Sequence, residues 1–238
     1  MILSAHQPLY LPWAGFFHKI ALADQFCVFD AVQFEYHEFG NRNRIMTHQG
    51  PLVLTVPVEK KGHLTRRFCD MKIDGSIWAE KHAKALRLSY AKAPFFKDYM
   101  EPLEAILRKH HVFLADLNVE ILVWLLACLG LDRPIARASD CNFTGVGSAL
   151  VLDMCLQLRA NRYIFGSLGR DYADLKSFND AGVEAVFQTY TPPVYKQVHR
   201  KPFEPRLSVL DLLFNEGANS LAVLMSGNAK TFDELKEN

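Results

Sequence analysis

The chain has 238 residues, half of them hydrophobic, and carries 27 Lys and Arg against 26 Asp and Glu for a net charge of +1. This is enough apolar material for one substantial core, and so even a balance excludes a global attraction to nucleic acid, leaving any anion binding to local groups. Five cysteines without a CxxC pair fit neither a disulfide framework nor a zinc module, no apolar run reaches the ~20 residues of a membrane span, and the start lacks the order of a signal peptide. The chain therefore reads as cytosolic, with reduced thiols and no membrane span.

The short apolar run Met1-Ile2-Leu3 predicts a buried strand, and Phe16, Phe17, Ile20 and Ala21 are spaced for one helix face ending near Ala23-Asp24. Between them lies HQPLYLPWAGFF. Pro8 and Pro12 fix their own φ and push Gln7 and Leu11 towards extended geometry, so the connection is stiff. His6, Gln7, Tyr10 and Trp13 in such a connection can line a pocket at a strand's C-terminal end; packing of the loop by its own aromatics is the competing reading.

Phe26 to Asp30 predicts a second short strand that ends in a carboxylate. After it, Gln33, Glu35, His37, Asn41, Arg42, Asn43 and Arg44 alternate with aromatics and read as a polar loop or irregular strand. The run Asn41-Arg42-Asn43-Arg44 is dense in hydrogen-bonding groups: guanidinium forks match phosphate or carboxylate, and asparagine both donates and accepts. An anionic ligand and a solvated basic turn explain it equally well.

Leu52 to Val58 is β-branched and predicts a strand that stops or runs at an edge near Pro57. Residues 59–67 form a charged turn, and Met71 to Ile73 another short strand. Helices are expected from Ser76 to about Ala91, from Pro94 through Leu107, and from Leu117 to Leu129, the last apolar enough to be buried on most sides and stopped by Gly130. Pro134 to Ala138 can be a strand. The loop Ser139 to Gly147 then feeds a helix from Ser148 to Leu158, where Gly145 and Gly147 serve as a cap more readily than as a phosphate cradle.

Arg162 to Phe165 predicts the next strand, running into Gly166-Ser167-Leu168-Gly169-Arg170-Asp171-Tyr172. Ser167 is not the nucleophile of an elbow motif, because position 165 is Phe where that pattern needs glycine. A tight turn whose N–H groups and Ser167 hydroxyl face a ligand, with Arg170 nearby as charge, is the physical alternative. A helix through Phe178, a strand from Val183 to Tyr190, a compact helix from Leu207 to Gly217 carrying Asp211 and Asn215, and a Thr231/Glu234 capping box complete the chain. Leu221 to Met225 suits internal packing or a homodimer contact. Strands separated by helices, without a linker, predict one α/β domain over residues 1–238, with a largely parallel, Rossmann-like sheet, a helical C-terminal part, and ligand contacts outside the strand C-termini.

The segments HQPLYLPWAGFFHKIALAD, VFDAVQF, NRNRI, LTVPV, YAKAP, GSLGRDY and LSVLDLLFN, in that order over nearly the whole chain, resemble the WbqC-like family. The resemblance implies a bacterial cytosolic protein associated with O-antigen or other surface-polysaccharide gene sets, and a nucleotide-linked sugar as ligand. Leu168 stands where the family pattern implies a more glycine-rich turn. The opening strand, Pro loop and helix also look like the start of nucleotidyltransferases with an HxGH signature, in degenerate form, with His18 near the place of a histidine.

The expected function is a transferase modifying a nucleotide-linked amino sugar by acyl or aminoacyl transfer, with His6 as base and Asp30 orienting it or holding the amine. Gln7, Tyr10, Trp13, Gln33, Asn41, Arg42, Asn43, Arg44, Gly166, Ser167 and Tyr172 are the expected ligand contacts, with Arg42 and Arg44 on the diphosphate. The alternatives are nucleotidyl transfer, the one reading that calls for Mg²⁺, and a non-catalytic sugar-nucleotide-binding partner protein.

Overall fold

A computed structural model describes residues 1–36, 38–60, 65–199 and 202–236. His37 and residues 61–64 of the charged turn lie outside them. The sheet is built from β1 (Ile2–His6), β2 (Gln25–Val28), β5 (Ile135–Arg137), β6 (Arg162–Phe165) and β7 (Glu184–Phe187), all parallel, in the order β5-β2-β1-β6-β7. The chain starts in the centre, steps outward through β2 to β5, then returns to the other side of β1 for β6 and β7. This is Rossmann-like order, and its direction reverses between β1 and β6.

Side-chain alternation sorts the strands onto two faces. Leu3, Ala5, Cys27, Tyr163 and Phe165 pack with α5 (Ser148–Gln157) and with Phe178 of α6 (Leu175–Asp180). Phe26 and Val28 pack instead with Phe16, Phe17 and Ile20 of α1 (Ala14–Ala21), and Ile164 and Val186 with Leu22, Phe232 and Leu235. His6 belongs to the α1 face, its ring edge-on to Phe16 at 5.4 Å between centroids. Position 166, two residues beyond Ile164, is carried to the same face.

The polar run from Asn41 resolves into a strand. β3 (Arg42–Thr47) pairs antiparallel with β4 (Gly50–Thr55) as a separate hairpin, because Asn43 and Ile45 turn inward and the asparagine amide finds buried backbone partners. Met71 to Ile73 makes isolated bridges, Lys72 with Phe113 and Ile73 with Val58, in place of the expected strand. Helices α2 (Ile77–Tyr90), α3 (Phe96–Arg108), α4 (Leu114–Leu129) and α7 (Val209–Glu216) join the hairpin in the larger core. Gly130 ends α4 in the left-handed conformation, φ 68°, as its position suggests.

Asp211 and Asn215 are both buried. The Asp211 carboxylate is fully buried and accepts from the Tyr90 and Tyr195 hydroxyls at 2.9 and 2.7 Å and from Gln197 Nε2 at 3.0 Å, so it clasps the extended segment after β7 onto α7. Leu224 of α8 (Ser220–Met225) is buried within the chain. The Thr231 hydroxyl accepts from the Glu234 N–H at 3.3 Å, but the cap leads into a single 3-10 turn (Asp233–Leu235), and the Glu234 carboxylate reaches Lys230 N–H. Among the described residues no helix is long and apolar enough to cross a membrane.

Candidate functional site

The loop after β1 is held rigidly. Tyr10 N–H donates to Phe39 O at 3.1 Å, and the Asn43 amide donates to the carbonyls of Tyr10 and Leu11 at 3.1 and 2.6 Å. These bonds keep Leu11 at φ 47°, a backbone conformation costly for a bulky side chain. Further along, Val209 N–H donates to Pro12 O at 2.8 Å, and Trp13 bridges to Ser208. The Trp13 ring lies over Gly15, where a Cβ would come within 2.3 Å of it, so position 15 must be glycine for the ring to stay.

This rigidity positions His6 at the C-terminal end of the central strand. Its Nδ1 lies 2.9 Å from Gln7 O; a carbonyl only accepts, so Nδ1 carries the proton and the neutral ring presents Nε2 as its base. The residue is exposed at the rim. Desolvation by the neighbouring protein, and secondarily the charge of Lys19, lower its pKa from 6.5 to about 4, partly opposed by the bond to Gln7. At neutral pH His6 is a free base open to solvent.

Beside it the sheet opens. β1 pairs with β2 as far as His6 with Val28, but with β6 only as far as Ser4 with Ile164. The ends of β1 and β6 therefore part at the point where strand order reverses, where ligands enter α/β sheets. Lys19 of α1 reaches into this gap. Only 2% exposed, it donates from Nζ to Ala5 O at 2.8 Å and has no carboxylate partner among the described residues; burial lowers its pKa from 10.5 to about 7. Residue-type reasoning passed over Lys19, which in the sequence is one more polar position of an amphipathic helix. The available signal was its spacing after the Pro loop: a lysine on the sheet-facing turn of the first helix.

Of the other expected contacts, Gly166, Ser167 and Tyr172 come to this edge on the turn after β6. Gly166 is half-buried, while Ser167 and Tyr172 are exposed. Gln7 is half-buried next to His6. Trp13 meets Tyr190 edge-on at 5.4 Å and lines a shallow crevice with Pro192, Pro193, Tyr195, Phe203 and Arg206.

The remaining expected site residues are placed differently from the sequence reading, while the Gly145 and Gly147 loop and the free cysteines follow it. Asp30 is fully buried, accepting from Ser139 N–H and hydroxyl at 2.9 Å each and from Arg137 Nε and Nη2 at 3.0 and 2.8 Å; Arg137 in turn bonds Asp116. It ties β2 to β5, and the Gln7 carbonyl orients His6 instead. Tyr10, expected to wall the sugar, is fully buried with its hydroxyl 2.8 Å from His82 Nδ1. Asn41 donates to Val56 O, and Asn43 holds the Pro loop. Arg42 donates to the carbonyls of Tyr36 and Glu38, and Arg44 pairs with Glu204 at 3.3 Å and reaches Arg206 O. Gln33 is exposed and bridges to Arg67. The Gly145 and Gly147 loop is closed by Asp153, which accepts from Thr144 N–H at 2.6 Å. All five cysteines are free, and burial pushes the Cys27 and Cys155 thiols up to about 12. A second, open concavity between β4 and α2 is lined by none of these expected site residues.

Fold and rim together define a Rossmann-like α/β protein with a polar gap at its topological switch point. Within that class, the chain belongs to the WbqC-like protein family, whose model matches residues 7–223. It is 34% identical over 216 residues to an uncharacterized protein of Mycobacterium tuberculosis, covering 90% of this chain and 93% of that one. No solved structure matches.

Proposed function

We propose that the chain is a transferase that modifies a nucleotide-linked amino sugar by acyl or aminoacyl transfer, in the making of a surface polysaccharide. The observation that carries this reading is His6, a solvent-facing imidazole fixed in one tautomer with its Nε2 lone pair uncommitted at the switch point. The sugar's amine attacks the carbonyl carbon of the donor, a C–N bond forms, the donor's bond to its leaving group breaks, and Nε2 takes the proton that the nitrogen sheds. The resemblance to the WbqC-like family supplies the substrate class; Ser167, Tyr172 and Trp13 remain proposed contacts at the rim.

Nucleotidyl transfer has weaker support. His18, the one histidine near the HxGH position, is fully buried, with Nε2 bonded to Ala229 O and Nδ1 accepting from Gln188 Nε2, both at 2.8 Å. Neither nitrogen is free to serve a phosphate.

The test is an assay of the purified chain against a panel of nucleotide-linked amino sugars with acyl and aminoacyl donors, followed by mass spectrometry. Acylated product that disappears in His6→Gln is the expected result; product formation undiminished in His6→Gln overturns the role of His6.

A further inference from the structure

We propose that the gap between β1 and β6 is an anion site in which the Lys19 ammonium, reached past Gly166, takes a phosphate group of the nucleotide-linked ligand. Three observations converge. Lys19 is almost wholly buried, yet among the described residues its ammonium makes one hydrogen bond, to Ala5 O, so a group with three donors keeps two for a ligand. A charge buried with so little compensation is costly, and its pKa near 7 expresses that cost; an incoming phosphate supplies the missing counter-charge.

The second observation is position: Lys19 stands where the β1–β6 pairing has ended and the β1–β2 pairing has not. The third is Gly166. Its φ is ordinary, so the turn itself does not require glycine. Yet a Cβ there would meet one atom within 4 Å outside its chain neighbours, and that atom is Lys19 Nζ at 3.9 Å. With glycine here, no side chain of position 166 lies against the ammonium. The site lies beside His6, so a phosphate held here sets the attached sugar at the base.

The inference rests on the nucleotide-linked part of the proposed function, and not on its chemistry. Isothermal titration of the whole chain with inorganic pyrophosphate, below the Lys19 pKa of about 7, gives a saturable site. Lys19→Met, similar in length but uncharged, weakens that site by ~10-fold or more, as expected for loss of a charge-assisted contact, without lowering the melting temperature of the free protein. Gly166→Val, which covers Nζ and leaves the charge in place, weakens it comparably and serves as the decisive variant should Lys19→Met not fold.

Absence of pyrophosphate binding in the native chain overturns the proposal, as does binding within ~2-fold of native in both variants, a difference too small for a lost ion pair. Saturable binding of acetate at matched ionic strength, with none of pyrophosphate, assigns the site to a carboxylate and overturns the phosphate reading. Pyrophosphate binding that depends on Lys19, in a chain that turns over no amino sugar, sustains the anion site while removing the transferase.

Discussion

Two polar regions of this molecule look alike in residue type and differ in what their hydrogen-bonding groups have left to do. The hairpin run Asn41-Arg42-Asn43-Arg44 concentrates guanidinium and amide groups, yet Asn43 holds the carbonyls of Tyr10 and Leu11, Arg42 those of Tyr36 and Glu38, and Arg44 pairs with Glu204. At the β1–β6 gap there are fewer polar groups, but His6 keeps Nε2 available and Lys19 has no carboxylate partner among the described residues. Residue type marks where hydrogen bonds are made. Only uncommitted capacity beside an opening marks where a ligand is bound.

Exchanging the two regions' roles by mutation tests this contrast. The largest effect falls on chemistry: His6→Gln lowers turnover by ~10²–10⁴-fold, the usual worth of a general base, measured as product per unit time under saturating substrate. A comparable loss in Arg42→Ala with little in His6→Gln would return the site to the hairpin.

Next comes stability. Asn43→Ala strips two buried carbonyls of their donor, costing roughly 2–3 kcal/mol and lowering the melting temperature by about 5–10 °C in a chain of this size. An unchanged melting temperature would show that the amide does not hold the Pro loop.

The third effect depends on pH. Folding lowers the Lys19 pKa from 10.5 to about 7. Between those values the unfolded chain holds a proton that the folded chain has released, so stability from this group rises with pH across that window, and the penalty is fully present below about 7. The melting temperature of Lys19→Met minus that of the native chain should therefore be largest in acid and shrink as pH rises towards 10.5. A difference that stays level from acid to alkali contradicts the buried charge.

The smallest effect is expected of Arg42→Ala. Its guanidinium serves loop carbonyls, so affinity for a nucleotide sugar should change by less than ~2-fold while that of Lys19→Met falls. Binding measured side by side in the two variants decides between the regions.

The legibility of the sequence depends on the range of the forces involved. Strands and helices with clean periodicity, among them β1, β2, β6, α4 and α7, lie close to where their patterns put them, and seven segments spread along the chain carried the family resemblance that the family match bears out. The stiffness of the Pro loop and the arrival of His6 and Gly166 at strand ends were also readable, because proline geometry and strand register are local. The hairpin strand β3 was obscured because its inward residue Asn43 is polar, and a buried amide is recognisable only once its backbone partners are known.

The same reason separates the fates of the candidate residues. Asp30 and Tyr10 have the residue types of a site, but Arg137 and Ser139, 107 and 109 positions away from Asp30, and His82, 72 positions from Tyr10, absorb them into the framework. Sequence by itself determined the α/β class, the family and the loops that meet at the sheet edge, since each depends on local pattern. Tertiary structure alone decided the order β5-β2-β1-β6-β7, the parting of β1 from β6 and the burial of Lys19 beneath Gly166, because hydrogen-bond satisfaction and the energy of a buried charge depend on neighbours that the chain supplies from far away.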